Sequence, residues 1–325
     1  MITRRNFTAG TAAAGLMGLA GPAFAQADYP NQPVRCICMF PPGSGADVLV
    51  RFFANKLSKL TSKNFLVENR AGAFGNIATE YVARAKPDGY TIYIAPGSSV
   101  LAAAPHVFKK INYDPLNDFE HITTFAKLSF MLVVAANSPF KTVADLTAHL
   151  QKEGDKANYG SIANTGLICS ELYKAAFGLK TVEVKYKDPG AMANDLLSGQ
   201  TAFVHIDPIT FAAHLKEGRM RALCMGSAER IKALPDIPGA REAGIANSDV
   251  TAWWSVHTPK GVPQVILDRL DNWINAVVAD PETVAFLNAT GNDPFPGNQK
   301  SMRELLLRET KAWGEYVKIA KIEPI

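Results

Sequence analysis

Short apolar runs alternate with stretches of helical period in this chain, and the alternation stops and starts again. Residues 34–40 (Val-Arg-Cys-Ile-Cys-Met-Phe) read as a strand. A Pro/Gly turn follows, then a helix from about Ala46 to Leu60 with apolar residues at Val48, Leu49, Phe52, Phe53 and Leu57. A strand near Phe65–Glu68, a helix near Ile77–Ala85 and a strand at Thr91–Ala95 complete the first run, with Pro87-Asp88-Gly89 as a turn signal. Strands that alternate with helices need crossover connections. The pattern therefore predicts an α/β fold with parallel-type sheets flanked by helices.

The second run begins with a strand at Met131–Ala136 and a helix across Val143–Gln151. Strands near Asn158–Gly160, Val182–Tyr186, Ala202–Ile206 and Arg221–Met225 alternate with helices near Leu167–Ala176, from Asp188-Pro189 to Leu197, and at Ile209–Lys216. Asp188 reads as an N-cap with Pro at the first helical position. After a strand at Val250–His257 come three long amphipathic helices, at Pro263–Val278, Pro281–Ala289 and Ser301–Ala320. With 325 residues, two such units imply two domains and a ligand cleft between them.

The N-terminus bears on where the chain works. Arg4-Arg5-Asn6-Phe7 precedes an Ala- and Gly-rich stretch from Ala9 to Ala20, and Ala23-Phe24-Ala25 is a small-residue cleavage pattern. Residues 1–25 thus read as an export signal cleaved after Ala25, with the paired arginines resembling a twin-arginine signal. The stretch is short and weakly apolar for a membrane span. Export places the mature chain in the periplasm. The formal net charge of +4 includes Arg4 and Arg5; without residues 1–25, which hold no acid, it is +2. So small and dispersed a charge argues against nucleic acid as a partner. Cys36, Cys38, Cys169 and Cys224 read as buried thiols, although a bridge from Cys36 or Cys38 to Cys224 stays open. No Cys/His cluster at ligand spacing suggests a metal or other cofactor.

Ligands of open parallel sheets sit beyond the carboxyl ends of strands, so the strand-to-helix loops are the candidate site. The first is Phe40-Pro41-Pro42-Gly43-Ser44-Gly45-Ala46-Asp47. Its glycines permit close backbone approach, its helix start offers free N–H groups to an anion, and Ser44 adds a hydroxyl. It lacks Gly-Lys-Ser/Thr and is not a nucleotide loop. A tight structural turn capped by Asp47 explains the same residues equally well. The second is Ser161-Ile162-Ala163-Asn164-Thr165-Gly166, also opening a helix, with Ser161, Asn164 and Thr165 as donors or as ordinary caps. Ser98 after the third strand, Lys187 and Asp207 are further candidates at strand ends. No Gly-x-Ser-x-Gly or His-Glu-x-x-His motif is present, and Ser44 beside Asp47 is the only tempting pair for a hydrolase, so the chain reads as a binding protein and not an enzyme.

The motifs in order resemble the Bug family, the extracytoplasmic receptors of tripartite tricarboxylate transporters. They are Pro42-Gly43-x-Gly45-x-Asp47 with Arg51, Val67-Glu68-Asn69-Arg70-x-Gly72-x-x-Gly75-Asn76, Ala85-Lys86-Pro87-Asp88-Gly89-Tyr90-Thr91, Asp195-Leu196-Leu197-x-Gly199-Gln200 and Pro235-Asp236-Ile237-Pro238. The resemblance implies a two-domain, type II periplasmic-binding (Venus flytrap) fold whose chain crosses twice. Residues 26–127 and 250–325 would then form one domain and 128–249 the other. It also implies a monomeric receptor that holds a small mono- or dicarboxylate and delivers it to an integral-membrane permease, with a sensor role as an alternative. Carried over, Gly43, Ser44 and Asp47 form one side of the clamp and Ser161 and Thr165 the other. Phe40, Pro41 and Ala46 flank the first loop, and Phe40 suits an aliphatic or aromatic carboxylate. This chain departs from the family pattern in the second loop, where Ala163-Asn164-Thr165-Gly166 is shortened and Leu167 or Ile168 stands near the usual His. Asp207 occupies a position where Asn is common.

Overall fold

The computed structural model describes residues 29–324 except 187 and 247. The expected export signal, residues 1–25, and the candidate Lys187 lie outside the described residues.

Two sheets form. The first has six strands, in the order β11 (Asp293–Pro294), β4 (Phe119–Ser129), β10 (Thr251–Pro259), β3 (Thr91–Ala95), β1 (Val34–Cys38) and β2 (Phe65–Asn69). The second has five, in the order β7 (Val182–Lys185), β6 (Asn158–Ser161), β8 (Phe203–Ile206), β5 (Met131–Ala135) and β9 (Met220–Met225). β1 runs parallel to β2 and β3, and β6 parallel to β7 and β8. The sheets are mixed, however: β10 is antiparallel to both β3 and β4, and β5 to both β8 and β9. The reason is connectivity. A single residue, Phe130, separates β4 from β5, so the chain leaves one sheet and enters the other without a crossover helix.

The return crossing, from β9 to β10, is stitched to the outward one. Gly226 N–H donates to Phe130 O (2.7 Å), Ser227 N–H to Ser129 Oγ (2.8 Å), and Val250 N–H to Gly226 O (3.0 Å). Side chains at position 226 have no room: a Cβ there would lie 2.8 Å from Cys169 Sγ. All four cysteines are free and buried.

Helices cover both sheets. α1 (Gly45–Thr61) starts at Ser44, whose extended backbone (φ −69°, ψ 157°) and side-chain oxygen cap the first turn. Its apolar face buries Leu49, Val50, Phe53, Ala54 and Leu57. α2 (Asn76–Ala83) follows β2, and α3 (Ala104–Val107) follows a wide helical turn at Ser98–Ala103. In the second unit come α4 (Val143–Glu153), α5 (Asn164–Phe177), α6 (Pro189–Ser198) and α7 (Ala212–Lys216). α8 (Gln264–Ala279), α9 (Pro281–Ala289) and α10 (Gln299–Ile319) close the chain and pack on the first sheet's core through Leu270, Ile274, Leu306 and Trp313. No helix among the described residues is long and apolar enough to cross a membrane.

Three buried histidines make the fold acid-sensitive. His121 Nδ1 lies 3.0 Å from His257 Nδ1, and His257 Nε2 lies 2.6 Å from Ser255 Oγ. Burial pushes His121 down to about 4 and His257 well below its ordinary value. His205, bonded to Ser170 Oγ at 2.9 Å, is pushed by burial to about 3. In the unfolded chain each titrates near 6.5, so below that pH the unfolded state binds more protons. Stability is then complete above 6.5 and is lost as pH falls, through about 4 for His121 and on toward 3 for His205, at up to about 1.4 kcal/mol per pH unit for each group. The melting temperature is expected to decline steadily over that interval, and less steeply in His121→Gln. A wild-type melting curve insensitive to pH between 6.5 and 4.5 would contradict this.

Candidate functional site

The first loop is built around one carboxylate. Asp47, 1% exposed, accepts Gly43 N–H (2.8 Å) and Arg51 Nε–H (2.8 Å) at Oδ2, and Asn69 Nδ2–H (2.7 Å) at Oδ1. Burial alone would raise its pKa. The hydrogen bonds from Arg51, Asn69 and Gly43, with the Arg51 charge, outweigh that and hold it below the usual carboxylate range. Asn69 also donates to Phe40 O (2.9 Å), tying the end of β2 to the end of β1. Ser44 Oγ donates to Pro41 O (2.9 Å) and accepts Asp47 N–H (3.2 Å).

These bonds decide what the loop can offer. Gly43's N–H and the hydroxyl proton of Ser44 are spent inside the loop. Gly45 and Ala46, the first two residues of α1, have no acceptor within the helix for their N–H groups. They sit at the positive end of a 17-residue helix, with Pro41, Pro42 and Gly43 exposed before it. Phe40, half-buried, leans on Trp254 at a centroid distance of 5.8 Å and an interplanar angle of 43°.

Gly43 and Gly45 serve different ends. Gly43 has φ +81° with nothing within 4 Å of a Cβ, so its need is conformational. Gly45 does not have a positive φ; a Cβ there would lie 3.0 Å from Ile209 Cγ2, so its need is space.

The second loop opens α5. Its N-cap, Ala163, makes no side-chain cap, which leaves the N–H groups of the first turn without helical acceptors. Asn164 is half-buried, Thr165 is 7% exposed, and neither side chain has a hydrogen bond to another described residue. Ser161 is turned away from this role: its hydroxyl donates to Glu183 on the neighbouring strand β7. Gly166 packs so closely on β8 that a Cβ would lie 2.4 Å from His205 O. His205, neutral and bonded to Ser170, therefore stands beneath the turn where the sequence lacks a local histidine.

The remaining candidates are placed as follows. Ser98 is 1% exposed and accepts Trp253 N–H (3.3 Å). Asp207 follows β8 and holds its own turn, accepting Thr210 N–H (2.9 Å) and Thr210 Oγ1–H (2.7 Å). That turn explains why the helix expected from Ile209 starts only at Ala212. It also brings Ile209 of the second unit against Gly45 of the first. Sequence reasoning missed Arg51 and Asn69 as scaffold of the first loop, Glu183 as partner of Ser161, and Ile209. The Arg51 position at i+4 from Asp47 was the one local signal for any of them.

A cavity of about 440 Å³ opens elsewhere, at the crossings, lined by Lys127, Asp249, Trp253, Asp293, Arg308 and Glu309 among others. Much of its charge is internally paired: Arg308 lies 3.7 Å from Glu309, and Asp293 accepts Lys232 N–H (3.0 Å) and Ala233 N–H (2.8 Å).

Comparison with known proteins gives consistent results. The family described as "Tripartite tricarboxylate transporter family receptor" matches residues 49–322. A UPF0065 protein of Bordetella bronchiseptica is 30% identical over 312 residues, covering 95% of this chain and 92% of the relative. The structure of R. palustris Rpa4515 with adipate superposes with a TM-score of 0.82 at 30% identity, covering 92% of this chain and all of that one. The periplasmic binding protein BugD superposes with a TM-score of 0.79 at 26% identity, covering 91% of this chain and all of that one.

Proposed function

Because the chain belongs to the tripartite tricarboxylate transporter receptor family, we propose that it captures a small carboxylate between its two sheets and passes it to a membrane permease. Membership makes it a substrate-binding receptor and not an enzyme. The ligand class and the permease are this proposal's own content. We take residues 1–25 as the export signal, residues 26–127 with 250–325 as one lobe, and 128–249 as the other.

The observation that carries the reading is the state of the first loop. Asp47 fixes the backbone from within, and the N–H groups of Gly45 and Ala46 are left over at a helix N-terminus. A carboxylate fits such a site without a cationic side chain, the helix end contributing about 0.3–2 kcal/mol. The opposing donors would be the first turn of α5 with Asn164 and Thr165. In this arrangement Asp47, Ser44 and Ser98 are positioning residues. Ligand contact belongs to the backbone from Gly45 to Ala46 and to Phe40. Closure of the lobes would present the loaded form to the permease.

Calorimetry against a panel of straight-chain mono- and dicarboxylates, adipate included, tests this. Saturable binding with 1:1 stoichiometry is the expected result. Folded protein that binds none of them, and gains no thermal stability from any, would refute the reading.

A further inference from the structure

Resting on that reading of Gly45 and Ala46, we infer that Ile209 selects the ligand by standing over the carboxylate site. It accepts carboxylates whose neighbouring carbon is an unbranched methylene and rejects those that are bulky there.

Three observations lead to this. First, Ile209 Cγ2 lies 3.0 Å from where a Cβ of Gly45 would be, so its methyl group borders the very residue whose N–H is free. Second, the turn that carries Ile209 is rigid. Asp207 accepts two hydrogen bonds from Thr210, Phe211 is 1% exposed, and Pro208 is buried. Third, the turn is wedged from the other side. Gly291, with φ +70°, has no room for a side chain, because its Cβ would lie 2.4 Å from Pro208 Cβ. Pro208 and Ile209 are thus gripped between the start of α1 and the turn before β11, both elements of the first sheet's unit. Ile209 cannot retreat without moving Pro208. With Phe40 and Trp254 forming an aromatic wall at the same loop, the surroundings of the carboxylate site are apolar.

The geometry also explains Gly45. A methyl at 3.0 Å from Ile209 Cγ2 is tighter than ordinary packing allows, so Gly45→Ala should hold the two units apart. Its backbone φ suits alanine, so the helix start itself should survive. Removing the obstructing methyl with Ile209→Ala should undo the damage.

The test uses the mature full-length protein and four forms: wild type, Ile209→Ala, Gly45→Ala and the double variant. Each binds, in a calorimeter, the straight-chain carboxylates above and their counterparts with two methyls on the carbon next to the carboxyl. Wild type should prefer the straight chain, and Ile209→Ala should shrink that preference by about tenfold. Gly45→Ala should weaken straight-chain binding by about tenfold, and the double variant should recover most of it. An unchanged preference in Ile209→Ala, or no recovery in the double variant, overturns the inference while leaving the receptor reading intact. Wild type that binds no member of either series overturns the receptor reading, and this inference with it.

Discussion

Asp47→Ala is expected to cost about 2–3 kcal/mol of unfolding free energy and to abolish carboxylate binding. The magnitude follows from what the substitution leaves behind. Three donors from three places in the chain, Gly43 N–H, Asn69 Nδ2–H and Arg51 Nε–H, converge on a carboxylate that is 1% exposed. Removing it strands donors that are only part-buried, each costing toward the lower end of about 1–3 kcal/mol, alongside a cation without its partner. Arg51 is about half exposed, at 48%, so its share is reduced by solvent, and most of the loss comes from the two neutral donors. Urea unfolding would measure the cost; a loss under about 1 kcal/mol would show that the loop does not depend on this centre.

The same residue predicts a pH effect with a definite sign. Asp47's pKa is depressed in the fold. Its stabilisation is complete above the ordinary carboxylate range and lost as pH falls through the folded value. Wild type should therefore have a component of its acid limb below about pH 4 that Asp47→Asn removes, overlapping the low end of the histidine limb, which begins near 6.5 and which Asp47→Asn leaves in place.

How far sequence alone reached is clear at particular residues. The first loop's helix start was legible, because Ser44 and Asp47 make a local cap and an apolar period follows at once. β1, β3 and β5 were legible as short, dense apolar runs. β4 was not. Its eleven residues bury His121, Thr123, Thr124 and Ser129 alongside apolar ones, so neither an alternating nor a continuous hydrophobic pattern marks it. The antiparallel course of β10 was hidden too, since direction is set by the single-residue link at Phe130 far upstream.

The candidate site divides in the same way. Residues whose role is local, such as Gly43 and the Asp47 cap, could be read from spacing. Roles made by distant partners could not. Ser161 looks like a free donor until Glu183, 22 positions on, accepts its hydrogen bond. Gly45 looks like a second conformational glycine until Ile209, from the other sheet's unit, fills the space above it. Asp207 looks free at a strand end, yet each of its carboxylate oxygens accepts a hydrogen bond from Thr210.

Gly43→Val should then separate folding from binding. At φ +81° a β-branched residue is strained, although its Cβ would touch nothing within 4 Å. The cost to stability is the backbone strain, or the lost Gly43 N–H bond and Ser44 cap where the peptide rotates to relieve it, about 1–3 kcal/mol, and the protein should remain folded. Binding should suffer more. To relieve the strain the peptide must rotate, which takes Gly43 N–H off Asp47 and swings Ser44 out of its capping position. The N–H groups of Gly45 and Ala46 then lose the fixed orientation on which an anion depends, and affinity should fall by about a hundredfold, equivalent to roughly 2.7 kcal/mol. Gly43→Asn is the control, because asparagine tolerates the left-handed region. It should bind within about threefold of wild type, a difference under roughly 1 kcal/mol. If valine and asparagine behaved alike in calorimetry, conformation at residue 43 would not govern the site. If valine bound as tightly as wild type, the first loop would be a turn and not a jaw.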